Sequence, residues 1–352
     1  MKIAAIIPCY KVQSHIVDVV SELIGRVDKI FVIDDKCPES SGSVVQERFV
    51  DNPSVKVLFH EHNQGVGGAV ATGYKAALAE KFDICIKLDG DGQMDPGYIS
   101  VLIAPILHNE ADYTKGNRFY EIEYLKTMPP MRVFGNAVLS LVNKCSTGYW
   151  NIMDPTNGFT AIHSTALRMI NLDKVAKRYF FESDMLFRLS SIRAVVKDTP
   201  MPSVYGEEKS NLRISRVIID FPSRYLVNFF KRFFYNYILR DISPATLESI
   251  LGTILTMTGA IYGAYNWINA GITGSPTATG TIMLVALMVI LGVQLLLAAL
   301  AYDINNVPKD PLQTMPALQI IPEPLRGQAF NKVDTFATSS DSYARSAVGM
   351  DD

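Results

Sequence analysis

Asp89-Gly90-Asp91, followed by Gln93, closes the apolar run Phe82 to Leu88, and no other residues of this chain suggest chemistry so directly by type and spacing. A strand alternates its faces, so a strand ending here sets Asp89 and Asp91 on one side, with Gly90 leaving room for a ligand to come close. Two hard oxygen donors so placed suit a divalent cation gripping a diphosphate. Further acids follow: Asp154 in the turn Asp154-Pro155-Thr156-Asn157-Gly158-Phe159, then Glu182 and Asp184 at the start of a helical stretch, where acidic side chains also favour the helix dipole.

The elements that must position these residues are legible in the first 120 residues. Ile3 to Pro8, Lys29 to Asp34, Val55 to His60, Ile84 to Leu88 and Tyr113 to Gly116 are apolar, β-branched runs separated by helical patterns. That alternation predicts an α/β fold with a mostly parallel sheet, and such sheets bind ligands at the carboxyl ends of their strands. Pro8-Cys9-Tyr10, Asp34-Asp35, His60 to Asn63 and the D-G-D all fall there. Met131 to Cys145 and Phe181 to Ile192 read as helices.

The chain then changes character. Its 352 residues are 48% hydrophobic with a formal charge of −2, and from Ser249 to Tyr302 there is no Asp, Glu, Lys, Arg or His. Ser249 to Ile268 and Thr281 to Tyr302 are each long enough to cross a bilayer, with Asn269 to Gly280 as the connection, so a transmembrane hairpin is expected. Lys209, Arg213, Arg216, Arg224, Lys231, Arg232 and Arg240 precede it and the connection carries no charge, which places both chain ends in the cytoplasm. No signal-peptide pattern opens the chain, which agrees with that orientation. Segment 214–240 mixes these basic residues with Phe229, Phe230, Phe233, Phe234, Tyr235 and Tyr237, the composition of a helix lying in the headgroup region. The expected organisation is a catalytic domain over 1–213, interfacial helices over 214–241, the hairpin over 242–302 and a flexible cytoplasmic tail over 303–352. Cys9, Cys37, Cys85 and Cys145 have no metal-finger spacing and are assigned no chemistry.

Taken in order, I-I-P-C-Y at 6–10, V-I-D-D at 32–35, N-Q-G-V-G-G-A-V-A-T-G at 63–73, L-D-G-D-G-Q-M-D-P at 88–96, D-P-T-N-G-F at 154–159, F-E-S-D at 181–184 and E-K-S-N-L at 208–212, with the trailing hairpin, resemble the GT-A glycosyltransferases of family 2. Within that family the resemblance is to the polyprenyl-phosphate enzymes of the dolichyl-phosphate mannose and glucose synthase type, and it covers residues 1 to about 302. It implies a GT-A catalytic domain that moves one hexose or N-acetylhexosamine from a UDP- or GDP-linked donor to polyprenyl phosphate at the cytoplasmic membrane face, inverting the anomeric carbon. By the same resemblance Pro8, Tyr10, Asp35, Asn63, Gly65, Gly68, Asp89 and Gly90 bind the nucleotide sugar. Asp89, Asp91 and Gln93 hold Mg²⁺ or Mn²⁺, and Asp154, Glu182 and Asp184 face the transferred sugar and acceptor. Arg118, Lys209 and Ser210 are placed to hold the acceptor phosphate or the donor diphosphate. Two departures from the family pattern concern the nucleotide base: Lys11 stands where Asn is common, and Lys36-Cys37 where Gly-Ser is common.

The residues exclude other classes. No glycine follows the first strand as a dinucleotide site requires, and no P-loop lysine motif is present. The Q-x-x-R-W motif of processive synthases is missing, which favours transfer of a single sugar. No nucleic-acid partner is expected; association through the hairpin into a homo-oligomer is compatible with the sequence. The rival reading is an inert glycosyltransferase-like module that binds a nucleotide sugar or recruits partners at the membrane, and the intact D-G-D, Asp154 and Glu182 argue against it.

Overall fold

The computed structural model describes residues 1–120, 130–201 and 214–315. Among them, β1 (Ile3–Cys9), β2 (Lys29–Asp34), β3 (Val55–Phe59), β4 (Ile84–Lys87), β5 (Tyr113–Asn117), β6 (Thr160–His163) and β7 (Val196–Pro200) form one sheet ordered β3-β2-β1-β4-β6-β5-β7. Every neighbouring pair is parallel except those of β6, which runs against both β4 and β5. The mostly parallel α/β sheet expected from the sequence is therefore present.

Strand alternation divides the core into two layers. Ala4, Ile6, Phe31 and Ile33 face α3 (Val66–Ala79), which contributes Ala69, Val70, Tyr74 and Ala77. Ala5, Ile7, Val32, Ile84 and Ile86 face α1 (Ile16–Leu23) and α4 (Ile99–Leu107), which contribute Val19, Val20, Leu23, Leu102, Ile103 and Ile106. Because β1, β2 and β4 are covered on both sides, they read as continuous apolar runs. α2 (Ser41–Arg48) follows β2, and α5 (Pro130–Thr147), α6 (Ser164–Met169) and α7 (Phe181–Ser191) complete the domain.

Beyond it, α8 (Ile214–Phe234) continues through a π turn at Tyr235–Leu239. The long helices α9 (Pro244–Thr273) and α10 (Thr279–Asn305) then form a hairpin. Ser243 and Thr246 cap the first reciprocally and Pro244 occupies its first turn, while Gly274, at φ 66°, ends it. The connection is consequently residues 274–278, shorter than the expected 269–280, because nothing before Gly274 breaks the helix. Small residues line the seam: a Cβ on Gly292 would come 2.3 Å from Thr256 Oγ1, and one on Gly252 would come 2.9 Å from the Gly292 carbonyl. Of the two spans expected, α10 is the one helix among the described residues that is long and apolar enough to cross a bilayer. α9, diluted by Gly, Thr, Tyr and Asn, does not reach that standard.

The expected flexible tail is in part folded. Asp112, fully buried, accepts the Leu312 and Gln313 amides at 2.9 and 3.2 Å, and the Gln313 side chain donates to the Ile106 and Ala111 carbonyls. Asp112 stands just before β5 and also accepts the Val195 amide at 2.8 Å, so the returning chain completes the set of donors that a buried carboxylate needs. At the foot of α10, Asp303 accepts from Trp150 Nε1 at 2.8 Å, Arg232 Nη1 at 2.6 Å and the Tyr237 hydroxyl, joining the hairpin to α8 and to the α/β domain.

Candidate active site

Two lysines lie inside the sheet in one row. Lys87 of β4 and Lys115 of β5 both stand in register with Thr160 of the intervening β6, and Asp198 of β7 follows Lys115. Both lysines are at most 1% exposed, so each ammonium requires partners. Lys87 Nζ reaches Asp89 Oδ1 at 2.8 Å and Glu182 Oε1 at 3.5 Å. Burial presses its pKa down, but the Asp89 and Glu182 carboxylates outweigh burial and leave it raised. Lys115 donates to the Asn157 carbonyl, and burial brings its pKa down to about 8 against the pull of Glu182 and Asp154. Asp198, which accepts from Met153 N–H at 2.7 Å and Asn117 Nδ2 at 3.1 Å, is pushed up to about 7 by burial.

This row gathers the site from distant parts of the chain. The lysine beside the D-G-D ties that turn to α7, where Glu182 sits, and Lys115 holds the 154–159 turn. Gly158 brings the two together: a Cβ there would lie 2.3 Å from Lys87 Nζ and 2.7 Å from Asp89 Oδ2. Asp154, fully buried, receives Arg118 in a two-pronged pair, Nε to Oδ2 at 2.8 Å and Nη2 to Oδ1 at 3.1 Å. Neither lysine was singled out from the sequence. The signal was a lysine inside an otherwise apolar run, Ile84-Cys85-Ile86-Lys87-Leu88, in a strand buried on both faces.

The structure also shows what the other expected residues touch within the chain. The D-G-D lies beyond the end of β4 in a turn containing Gly92 at φ 74°, so strand alternation does not set the directions of Asp89 and Asp91. Gly90 is needed by the protein's own core: a Cβ would meet Ile16 Cδ1 at 2.8 Å and Val12 Cγ2 at 3.2 Å. Asp91 accepts the Gln93 amide at 3.1 Å. Asp35 is 2% exposed and already accepts the Gln64 and Gly65 amides, both at 2.7 Å, with His60 Nδ1 at 2.8 Å. Asn63 Nδ2 donates to the Asp35 carbonyl. Gly65 and Gly68 serve the fold as well. A Cβ on Gly65 would come 2.4 Å from the Lys177 carbonyl and one on Gly68 2.5 Å from Gln64 Cβ, while that same carbonyl accepts the Gly67 and Gly68 amides at the start of α3. Asp184 holds the Ala176 amide and Arg188, each at 2.8 Å, and lines a separate cavity of about 300 Å³ with Arg224 and Asn228. Two residues along a helix from Glu182, it points elsewhere. Arg118 is in the site, on Asp154. Lys209 and Ser210 lie outside the described residues.

Where the sequence leads one to expect the nucleotide, Pro8 is half-buried in β1 and Tyr10 is 45% exposed. The two departures noted in the sequence meet here. Lys11 and Lys36 both adopt left-handed backbone, φ 58° and 56°, where Asn or Gly would be at ease, and the Lys11 amide donates to Cys37 Sγ at 3.1 Å. Burial acts to raise the Cys37 pKa, but hydrogen bonds from the Ser41 hydroxyl and the Lys11, Ser41 and Glu39 amides outweigh it and hold the thiol below its ordinary value. Among the described residues no group of three or more His, Cys, Asp or Glu forms a closed metal site. Two carboxylates fit a cation that a diphosphate completes, since magnesium at such sites commonly uses one or two carboxylates, waters and the phosphates.

Residues 4–171 match the family described as Glycosyl transferase family 2. A UDP-N-acetylglucosamine–dolichyl-phosphate N-acetylglucosaminyltransferase of Methanococcus voltae is 30% identical over 229 residues, 61% of this chain and 90% of that protein. The undecaprenyl-phosphate mannosyltransferase of Micrococcus luteus is 28% identical over 210 residues, 59% and 85% of the two chains. Mannosyl-3-phosphoglycerate synthase from Rubrobacter xylanophilus shares the fold, with a TM-score of 0.51 at 15% identity over 69% of this chain and 77% of that one.

Proposed function

The chain belongs to glycosyl transferase family 2, and from that premise we propose that it moves one hexose or N-acetylhexosamine from a nucleoside diphosphate to polyprenyl phosphate, with inversion, at the cytoplasmic face of a membrane. The acceptor class is supported by the two curated relatives, whose names specify dolichyl and undecaprenyl phosphate. The observation that carries the reading is the meeting of Asp89, Glu182 and the Asp154 turn around one buried ammonium at the carboxyl end of the sheet.

In this reading Asp89 and Asp91, with Gln93, hold Mg²⁺ or Mn²⁺, whose role is to offset negative charge on the departing nucleotide. Pro8 and Tyr10 border the base. Asp35 shapes the turn that carries Asn63 and Gly65, so its contribution to the nucleotide is to keep that wall in place. The acceptor is a phosphate monoester already anionic at neutral pH, so no base has to remove a proton from it. Asp154, locked by Arg118, accordingly orients the sugar, and the guanidinium beside it turns positive charge towards the acceptor phosphate. Glu182, fixed by Lys87, borders the transferred sugar.

The test is incubation of the purified protein with a panel of UDP- and GDP-sugars, polyprenyl phosphate and Mg²⁺ or Mn²⁺, with glycolipid identified by mass spectrometry. A single-sugar polyprenyl phosphate is expected with one donor. Nucleotide-sugar binding without product from any donor would instead indicate an inert binding module.

A further inference from the structure

Lys87 ends β4 between two residues assigned above to the cation and the sugar. Its ammonium, 1% exposed, lies 2.8 Å from Asp89 Oδ1 and 3.5 Å from Glu182 Oε1. The 154–159 turn closes over it, because even a Cβ on Gly158 would fall 2.3 Å from Nζ. An ammonium enclosed in this way cannot exchange its carboxylates for water at little cost, so it stays on them. Asp89 therefore already has a cation.

We propose that Lys87 is a resident counter-ion that competes with a divalent cation for Asp89, so that the D-G-D turn binds the metal strongly only together with a nucleoside diphosphate. The inference rests on the cation role proposed for that turn. Without nucleotide the turn offers Asp91, Gln93 and an Asp89 partly neutralised by the ammonium, and no third carboxylate, histidine or cysteine among the described residues joins them. A diphosphate brings its own oxygens and negative charge, which offset the repulsion between ammonium and metal. The metal then loads with the donor and does not idle on the empty enzyme.

A merely structural lysine and a competing one predict opposite signs. If Lys87 only anchored Asp89, its removal would loosen that carboxylate and weaken metal binding. If it competes, its removal strengthens binding of the bare metal. Mn²⁺ binding to the whole 352-residue chain, read from the electron paramagnetic resonance signal of free Mn²⁺ with and without UDP, separates the two. Lys87→Met is expected to bind Mn²⁺ alone about tenfold more tightly than the natural chain, and the gain in affinity on adding UDP should shrink by a similar factor. Unchanged or weaker Mn²⁺ binding in a Lys87→Met protein that melts like the natural one would overturn the proposal. Should that variant fail to fold, Glu182→Gln serves: with its second partner neutralised, the ammonium bears on Asp89 alone and bare Mn²⁺ binding should weaken several-fold, whereas no change would count against competition. Natural protein that transfers sugar while Lys87→Met leaves Mn²⁺ binding unaltered sinks this inference alone. Natural protein that binds Mn²⁺ neither alone nor with UDP sinks the cation role with it.

Discussion

Both oxygens of Asp154 rest on Arg118, and the carboxylate is sealed from solvent while the guanidinium is 28% exposed. Removing the arginine alone leaves a buried charge without its partner, an outcome that costs about 3–5 kcal/mol. Arg118→Leu should therefore lower the urea midpoint as well as abolish transfer, and adding Asp154→Leu should restore part of the stability but none of the activity. Asp198 gives a different signature. Its Oδ1 is buried without a hydrogen-bond partner, the place where a proton would sit, and its pKa rises from 3.8 to about 7. The folded protein thus keeps a proton that the unfolded chain releases near pH 4. Stability from this group is complete below pH 4 and is lost as the pH climbs through about 7. Melting temperatures at pH 5 and pH 8 should differ more for the natural chain than for Asp198→Asn, and equal differences would remove Asp198 as the cause.

At the scale of elements, local patterns proved informative where the partners of a residue are local. The five early strands fall within one or two residues of the runs read from the sequence, because each is a stretch of β-branched side chains between breakers. What was hidden depends on partners far along the chain. Glu182 lies 95 residues from Lys87, and Gln313 201 residues from Asp112, so the ammonium beneath the D-G-D and the folded tail leave no periodic trace. The glycines of 63–73 were legible as glycines, but their purpose, to let 176–178 pass close to α3, depends on a loop that the sequence places over 100 residues away. The hairpin seam follows the same logic and can be tested. Gly292→Val puts a branched side chain where even a Cβ would stand 2.6 Å from the Thr256 backbone nitrogen. α9 and α10 must then separate, and the detergent-solubilised protein should melt several degrees lower, whereas Gly280→Val, with nothing within 4 Å, should melt as the natural chain does.

For the molecule as a whole, the hairpin and the α/β domain are fastened together. Asp303 at the end of α10 grips Trp150, Arg232 and Tyr237, Arg193 donates to the Asn306 carbonyl at 3.2 Å, and Leu312 is buried against the domain. The residues proposed to act on the substrates are thereby held in place relative to the helix that is long and apolar enough to cross a bilayer. α5 and α8 pack on each other and leave apolar side chains in the open: Met131, Phe134, Val138 and Leu141 at helical spacing on the first, Leu226, Phe230 and Phe234 on the second. Apolar stripes of this kind on two adjoining helices are what a headgroup region accepts, with the aromatic rings sinking to the acyl boundary. An isoprenoid acceptor cannot leave the bilayer cheaply, so the domain has to come to it. Phe134→Ser combined with Phe230→Ser should therefore raise the apparent KM for a long-chain polyprenyl phosphate in vesicles about tenfold while leaving transfer to a short, water-soluble isoprenyl phosphate within about twofold, because the chemistry of the site is untouched and only its docking is weakened. Equal losses on both acceptors would mean that the two phenylalanines support the fold of the domain, and the membrane role of these helices would have to be abandoned.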